Sequence, residues 1–543
     1  MSYLDPLTVL AAVPALVIFI HLAIYLVDPY GIRHYPGPFL AKFSDAWLGY
    51  VSQQGHRSEV IHELHLKYGP FVRISPSEVS VADPEALAIV YAHGNGALKS
   101  SFYDAFVSIE RGLFNTRDRK QHARKRKIVS HVFSQKNVVE FEPHIKLYVG
   151  MLLGQWDRLY AGALKGLSGT EGDGGWVGRD GRLWLDLLPW ANYLAFDIIG
   201  DLAFGAPFGM IEAGRDRAPV PIAGASEKEA GAVAATDEIT YIPAVAVLNG
   251  RGEYSMSMGV LPGWVRPVVR RLVPWYARGL QDVKHLAGIA IVAVATRLGQ
   301  PTDRVDLLSK LQAGKDDGGE LMGRAELTAE ALTLLIAGSD TTSNSTCAII
   351  HHLAANPSTQ ATLQAELDEQ LGTEDELVAN AEQVKRLPYL DACINEGLRI
   401  HSTSALGLPR VVPEGGLVIG DRAFPAGAVL SVPSYSIHRD PAVWGADVEA
   451  FRPERWLGPA VGEGEAEWEA RKDAMQRAFN PFSVGPRACV GRNLASLELQ
   501  IIVASIMRRY HFVLEKPEQE LQTSEGFLRK PLRCDVGIKR RDV

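Results

Sequence analysis

Phe482-Ser483-Val484-Gly485-Pro486-Arg487-Ala488-Cys489-Val490-Gly491 decides how the chain is read. One cysteine sits in a loop punctuated by two glycines and a proline, and a helix-compatible run, Arg492 to Leu499, follows at once. Glycine at 485 and 491 admits conformations or close approaches that a Cβ would block. A following helix N-terminus favours negative charge on sulfur. These are the requirements of a thiolate ligand to a haem iron, with Phe482 covering the sulfur on one side and Arg487 reaching a haem propionate. A lone cysteine is by default a small buried apolar residue. The fixed positions around Cys489 argue for a metal ligand instead.

Bulk composition narrows the remaining classes. The chain has 543 residues, 47% of them hydrophobic, and a net charge of -7, which suits a large globular core and gives no reason to expect a nucleic-acid partner. The cysteines are Cys347, Cys393, Cys489 and Cys534, widely spaced and without a CxxC pair. That excludes a disulfide framework and points to a reducing compartment. CxxCH is absent as well, so a haem here is held by coordination and packing.

The N-terminus has a different character. Leu7 to Val27 is apolar apart from Thr8 and His21, long enough to cross a bilayer, and lacks the basic start of a signal peptide. Asp5 precedes it, while Arg33, His34 and Lys42 follow, which places the bulk of the protein on the cytosolic side. Tyr35-Pro36-Gly37-Pro38 then makes a stiff turn. The expected organisation is a membrane anchor over 1–30, a proline-rich hinge over 31–45 and a catalytic domain over 46–543, single-pass in the endoplasmic reticulum membrane.

Within the catalytic domain, Glu59 to Tyr68 reads as helix, and Phe71 to Ile74 and Val79 to Val81 read as strands. Helical periodicity dominates from about residue 121. Short apolar alternation returns from Tyr510, at Phe512 to Leu514 and Cys534 to Ile538. Residues 166–182, 213–235 and 458–467 read as surface loops. The fold class is mainly α with small β-sheets.

Three further motifs carry chemistry. Ala337-Gly338-Ser339-Asp340-Thr341-Thr342 lies inside a long helical pattern, Ala325 to about Leu353, although most of these residue types disfavour helix. Gly338 removes bulk and Thr341 can bond back to a carbonyl, which would widen the helix locally and leave room for O2 and ordered water. Thr341 would hold the oxygen ligand while Asp340 feeds protons from solvent. Glu396 and Arg399 lie on one helix face, and Arg455, from Phe451-Arg452-Pro453-Glu454-Arg455-Trp456, completes a buried ionic cluster that locks the segment leading to Cys489. His122 and Arg126, spaced i, i+4, address one propionate, and Arg410 is a third propionate candidate. Arg124, Lys125 and Lys127, with Arg119 and Lys120, are expected to point outward as a basic patch for an acidic electron donor.

With these motifs in order, residues 35 to 540 resemble a microsomal cytochrome P450. The resemblance implies haem b between two long helices and a cysteinate ligand that favours O–O cleavage. It also implies one oxygen atom inserted from O2, with electrons from NADPH through a reductase. Longer segments, Phe102 to Ser108, Arg111 to Arg119, Asn192 to Met210, Arg324 to Ser345, Arg399 to Arg410 and Gly526 to Leu532, are similar to the fungal benzoate 4-monooxygenases. That similarity implies para-hydroxylation of benzoate or a related small aromatic acid. O-demethylation of phenolic ethers, as in pisatin demethylases, is the alternative, and a non-oxygenating thiolate-haem isomerase would need no Asp340–Thr341 pair. A small carboxylate needs donors at one end of an apolar pocket. Tyr103, Ser402, Thr403 and Ser404 are the candidates, beside Lys99 and Arg111.

Overall fold

The computed structural model describes residues 6–221, 239–299, 305–372, 376–460 and 462–542, with side chains from Ala15 onward. The helices that matter for the site are α1 (Pro6–Val27), α2 (Arg57–Tyr68), α3 (Arg119–Val132), α4 (Leu187–Phe204), α5 (Ala244–Val260), α6 (Arg324–Ala355), α7 (Pro388–Ile400), α8 (Glu465–Ala478) and α9 (Arg492–Arg509). The strands are β1 (Phe71–Arg73), β2 (Glu78–Val81), β3 (Leu98–Lys99), β4 (Ser168–Gly169), β5 (Trp176–Arg179), β6 (Arg182–Asp186), β7 (Arg410–Val411), β8 (Val429–Ser431), β9 (Tyr510–Leu514) and β10 (Asp535–Arg540). They form two small mixed-order sheets, β1-β2-β8-β7-β3 and β9-β10-β6-β5-β4. Helices therefore carry the core, and the sheets trim its edges.

The 32-residue α6 runs through the middle, packed along α4 and against α7 and α9. Gly338 faces α4, where a Cβ would stand 2.8 Å from Ile199, so this glycine sets how closely the two helices approach. The helix stays α-helical across the Ala337–Thr342 hexamer. The expected widening is thus replaced by side-chain compensation, in which Ser339 Oγ donates to Leu335 O at 2.7 Å and Thr341 Oγ1 to Ala337 O at 2.5 Å. Farther along, Thr342 Oγ1 donates to Glu498 Oε2 of α9 at 3.0 Å, and the hydroxyls of Ser345 and Thr403 lie 3.2 Å apart. Small polar residues let neighbouring elements close in on α6 and tie them to it.

All three expected loops carry some regular structure. Residues 166–182 fold into the β4–β5 hairpin and the turn to β6, extending the second sheet. Trp176 anchors it, its Nε1 donating to Glu171 Oε2 at 2.8 Å, and the glycines between the strands supply the reversal. Residues 458–467 end in the first turn of α8. Of 213–235, Ala218–Pro221 is a strand paired with Ile239–Ile242, and 222–235 lies outside the described residues. The 31–45 segment is no free tether. Ile32 and Tyr35 are buried in one cluster with Val79 and Phe424.

Among the described residues no helix is long and apolar enough to cross a membrane. α1 is helical from Pro6 to Val27, and the large apolar side chains described on it, among them Ile18, Phe19 and Val27, are exposed.

Candidate active site

The loop before α9 is held in a shape few sequences permit. Ser483 and Gly485 both have positive φ, 57° and 75°. A Cβ on residue 485 would stand 1.8 Å from Tyr91 O, so only glycine fits. Cys489 N donates to Phe482 O at 2.8 Å and Ala488 N to Gly485 O at 3.1 Å, which closes the turn. Cys489 is exposed to a cavity that Phe482 also lines, with protein crowding the rest of the residue. Burial raises the thiol's pKa, opposed by the Gly491 N–H and by the charges of Arg126 and Arg492. A positive metal centre would tip that balance to the thiolate.

Beside this loop five basic side chains converge. Lys99 and Arg410 are direct partners across β3 and β7, an arrangement that destabilises a sheet unless an anion lies nearby. Arg487 donates to Thr116 O at 2.5 Å and Arg117 O at 3.2 Å, and Arg126 to Ala488 O at 2.5 Å. Arg410 Nη1 donates to Tyr103 Oη at 2.9 Å, and Lys99 Nζ to Phe114 O. His122, Arg126, Arg410 and Arg487 line one cleft. None of the five forms an ion pair among the described residues. Burial, then Arg487 and Lys99, hold the His122 pKa down to about 3. Burial, then Arg410, Arg487 and Arg126, hold Lys99 well below its ordinary range. Basic groups without a counter-charge are costly to bury, and an anion beside them would restore their charge. Two propionates beside the Cys489 thiol would satisfy the cluster, so the residues present fit haem.

A cavity of about 260 Å³, lined mainly by apolar side chains, lies over Cys489. Thr341 lines it from α6. Phe106, Phe114 and Phe527 line it as well, their rings meeting edge to face at 4.8 to 5.6 Å. Of the substrate candidates, Thr403 and Ser404 line this cavity. Ser402 does not. Its hydroxyl lies 2.5 Å from His438 Nδ1, and His438 Nε2 accepts from Asn480 N at 2.8 Å, so this side chain supports the approach to the Cys489 loop. Tyr103 is fully buried with its hydroxyl on Arg410, in the cation cluster. Arg111 pairs with Asp104 at 2.8 Å and is exposed.

Asp340 and Thr341 are neighbours about 100° apart around α6, and they open on different spaces. Asp340 lines a second, polar cavity with Asp173, Asp186, Asp216, Asn344 and Lys530. Asn344 Nδ2 donates to Asp340 Oδ1 at 3.1 Å. Burial raises the Asp340 pKa, opposed by Lys530 and by the Asn344 hydrogen bond.

The Glu396 carboxylate accepts five hydrogen bonds, two from Arg399, one from Arg455 Nε at 2.8 Å, one from Arg452 N at 3.0 Å and one from Trp456 Nε1 at 3.0 Å. The side chains of Glu396, Arg399 and Arg455 are all inaccessible to solvent. The arginines also reach the carbonyls of His438, Trp444, Val448 and Ala450. This network ties α7 to the segment that leads into the Cys489 loop.

The basic patch is smaller than the sequence suggests. Lys125 is buried and pairs with Glu326 and Glu330 at the start of α6, and Arg124 pairs with Glu326. The turn of α3 carries both toward those carboxylates instead of outward. Lys127 pairs with Asp317, and Arg119 and Lys120 remain exposed. Lys99, expected among the substrate donors, instead lies beside Arg410 in the basic cluster, a placement signalled only by their strand pairing. One cavity residue escaped sequence reasoning altogether. Arg251, on α5, also lines the main cavity, and nothing local in the sequence separates it from a surface arginine.

Comparison with known proteins agrees with this geometry. A sequence model of the family described as Cytochrome P450 matches residues 36–538. Benzoate 4-monooxygenase bphA of Aspergillus niger is 46% identical over 532 residues, 96% of each chain. Cytochrome P450 monooxygenase cicH of Emericella nidulans is 30% identical across 97% of this chain and 99% of its own. Cytochrome P450 monooxygenase hepC of Aspergillus oryzae is 30% identical across 89% and 87%.

Proposed function

Because the chain belongs to the cytochrome P450 family, we propose that it is a monooxygenase that para-hydroxylates benzoate to 4-hydroxybenzoate. The observation that carries this reading is the 46% identity along 96% of both chains to a protein named benzoate 4-monooxygenase. The aromatic lining of the cavity over Cys489 supports it, since a compact apolar space suits a single benzene ring.

Cys489 would hold the haem iron through its thiolate, Lys99, His122, Arg126, Arg410 and Arg487 would hold the propionates, and Phe482 packs by the sulfur. When bound, haem supplies the activation of O2, with a thiolate ligand favouring O–O cleavage. Overall, one oxygen atom enters the para C–H bond, and the other leaves as water with two protons. The two electrons come from NADPH through a flavoprotein reductase. Thr341 holds a proton at Oγ1 on the cavity wall, and Asp340 draws protons from the polar cavity behind α6. The phenylalanine trio excludes bulk water from the reacting carbon.

Attachment to the cytosolic face of the endoplasmic reticulum through α1 belongs to the same proposal. Exposed Phe39 and Leu40, soon after α1, and exposed Trp264, Val268 and Leu272 support a membrane-facing side. The reductase would dock on the face carrying Arg119 and Lys120.

Incubating the holoenzyme with reductase, NADPH and benzoate, and separating the hydroxybenzoates by chromatography, tests the substrate. The 4-hydroxy isomer is expected as the main product. Absence of product would sink the benzoate reading, and turnover of aryl methyl ethers alone would replace it with O-demethylation.

A further inference from the structure

The main cavity contains a charged group that the haem site does not use. Arg251, on α5, is 6% exposed and lines the space over Cys489 together with the three phenylalanines. Its hydrogen bond runs from Nη2 to Phe106 O at 2.9 Å, and its guanidinium lies 5.4 Å from the Phe106 ring centroid. Its Nε is buried without a hydrogen-bond partner, and the residue forms no ion pair among the described residues. Burial alone lowers its pKa, to about 10, with no nearby charge contributing. An unopposed guanidinium in an apolar cavity is expensive to keep.

Two more orphans sit beside it. Ser108 Oγ and Asn115 Oδ1 are buried, unpartnered, and line the same cavity. Asn115 Nδ2 donates to Phe106 O at 3.0 Å, the very oxygen that Arg251 holds, so the two side chains share one anchor. Glu110 also lines the cavity but is exposed and reaches the outer groove, which places it toward the mouth.

We propose that Arg251 binds the substrate carboxylate, with Ser108 as a second donor, and so is the residue that selects an aromatic acid and fixes its orientation. The inference rests on the aromatic-acid reading above and names the group that this reading lacks. A guanidinium with free N–H groups matches a carboxylate, giving charge-assisted bonds that a neutral ligand cannot form. The haem propionates are the competing source of such a carboxylate. They have their own partners, because Lys99, His122 and Arg487 each feel the charges of Arg126 and Arg410 while Arg251 feels neither. With the carboxylate held at Arg251, the far end of the ring is the part left free to face the reacting centre. Para selectivity follows.

Equilibrium titration of the haem-loaded enzyme, followed by the spin-state change in the haem spectrum, separates the alternatives. The ligands are benzoate and its uncharged isostere benzamide, with the CO complex as a check on assembly. Arg251→Gln is expected to weaken benzoate about 30-fold or more and to change benzamide less than about threefold, with the CO complex intact. Arg251→Lys should fall between the two, since it keeps the charge and loses the fork. Ser108→Ala should weaken benzoate by about threefold or more. Unchanged benzoate binding in Arg251→Gln, or an equal loss for both ligands, overturns the proposal. If Arg251→Gln does not assemble, unchanged benzoate affinity in Arg251→Lys overturns it instead. Should the wild-type enzyme bind no benzoate, the substrate reading falls on its own. Phenylacetate and cinnamate then decide the anchor, a charge-dependent loss supporting it and no loss overturning it.

Discussion

Gly485 and Cys489 show how much a single position can fix. The left-handed backbone at 485 and the 1.8 Å approach to Tyr91 O leave no room for a side chain, and the turn so formed presents one sulfur to the cavity. That loop was legible in the sequence because its requirements are local. The place of Lys99 and the very candidacy of Arg251 were not, because what distinguishes them is burial without a counter-charge, and only the assembled fold decides burial. Ser402 was misplaced for the same reason. Its hydroxyl points to His438, a partner 36 residues away. Thr341 is the residue whose role is most open to direct test. Thr341→Ala removes a proton donor from the cavity wall and leaves the iron ligand untouched. NADPH consumption should continue while product per NADPH falls about tenfold or more, measured by comparing NADPH oxidation with product formed. Unchanged coupling would remove Thr341 from proton delivery.

At the scale of elements, α6 behaves as a spine against which other parts are tied. Its length and position were readable from periodicity, Ala325 to Leu353 expected against Arg324–Ala355 found. The consequences of its polar residues were not, since Gly338 turned out to serve the contact with α4. The β4–β5 hairpin was hidden for a related reason, because glycine-rich charged sequence looks like a loop until a neighbouring strand pairs with it. One tie gives a pH signature. Burial raises the Glu498 pKa to about 7, opposed only by the hydrogen bond from Thr342. An acid whose folded pKa exceeds its unfolded value near 4.5 binds more protons in the folded state. Its stabilising contribution is therefore present below about pH 4.5 and lost as the pH rises to about 7. The loss is about 3 kcal/mol for a shift of this size. Glu498→Gln cannot ionise, so its thermal midpoint should gain on the wild type between pH 5 and pH 8. A gap that stays constant with pH would mean that Glu498 is not held protonated.

At the scale of the whole molecule, the proposed docking face and the proposed membrane-facing side can each be tested. Lys125 and Arg124 are committed to Glu326, so the proposed docking face depends on fewer charges than the α3 sequence suggests. Reversing Arg119 and Lys120 to glutamate should slow reductase-supported turnover several-fold at low salt and much less at high salt. The product profile should not change, and a salt-independent loss would place docking elsewhere. Removing residues 1–30 should release the protein from microsomal membranes, by sedimentation, while the CO complex persists. Continued sedimentation with membranes would shift attachment to the face bearing Trp264 and Leu272. The proposed reaction joins all three scales, since it would need the Cys489 thiolate, the α6 proton path and an electron donor at once. Its most direct test is turnover of benzoate under isotopically labelled O2, with reductase and NADPH, read by mass spectrometry. The expected result is 4-hydroxybenzoate carrying one labelled oxygen on the ring. Unlabelled product would contradict the monooxygenase assignment made from this site, and no hydroxylated benzoate at all would contradict the benzoate reading.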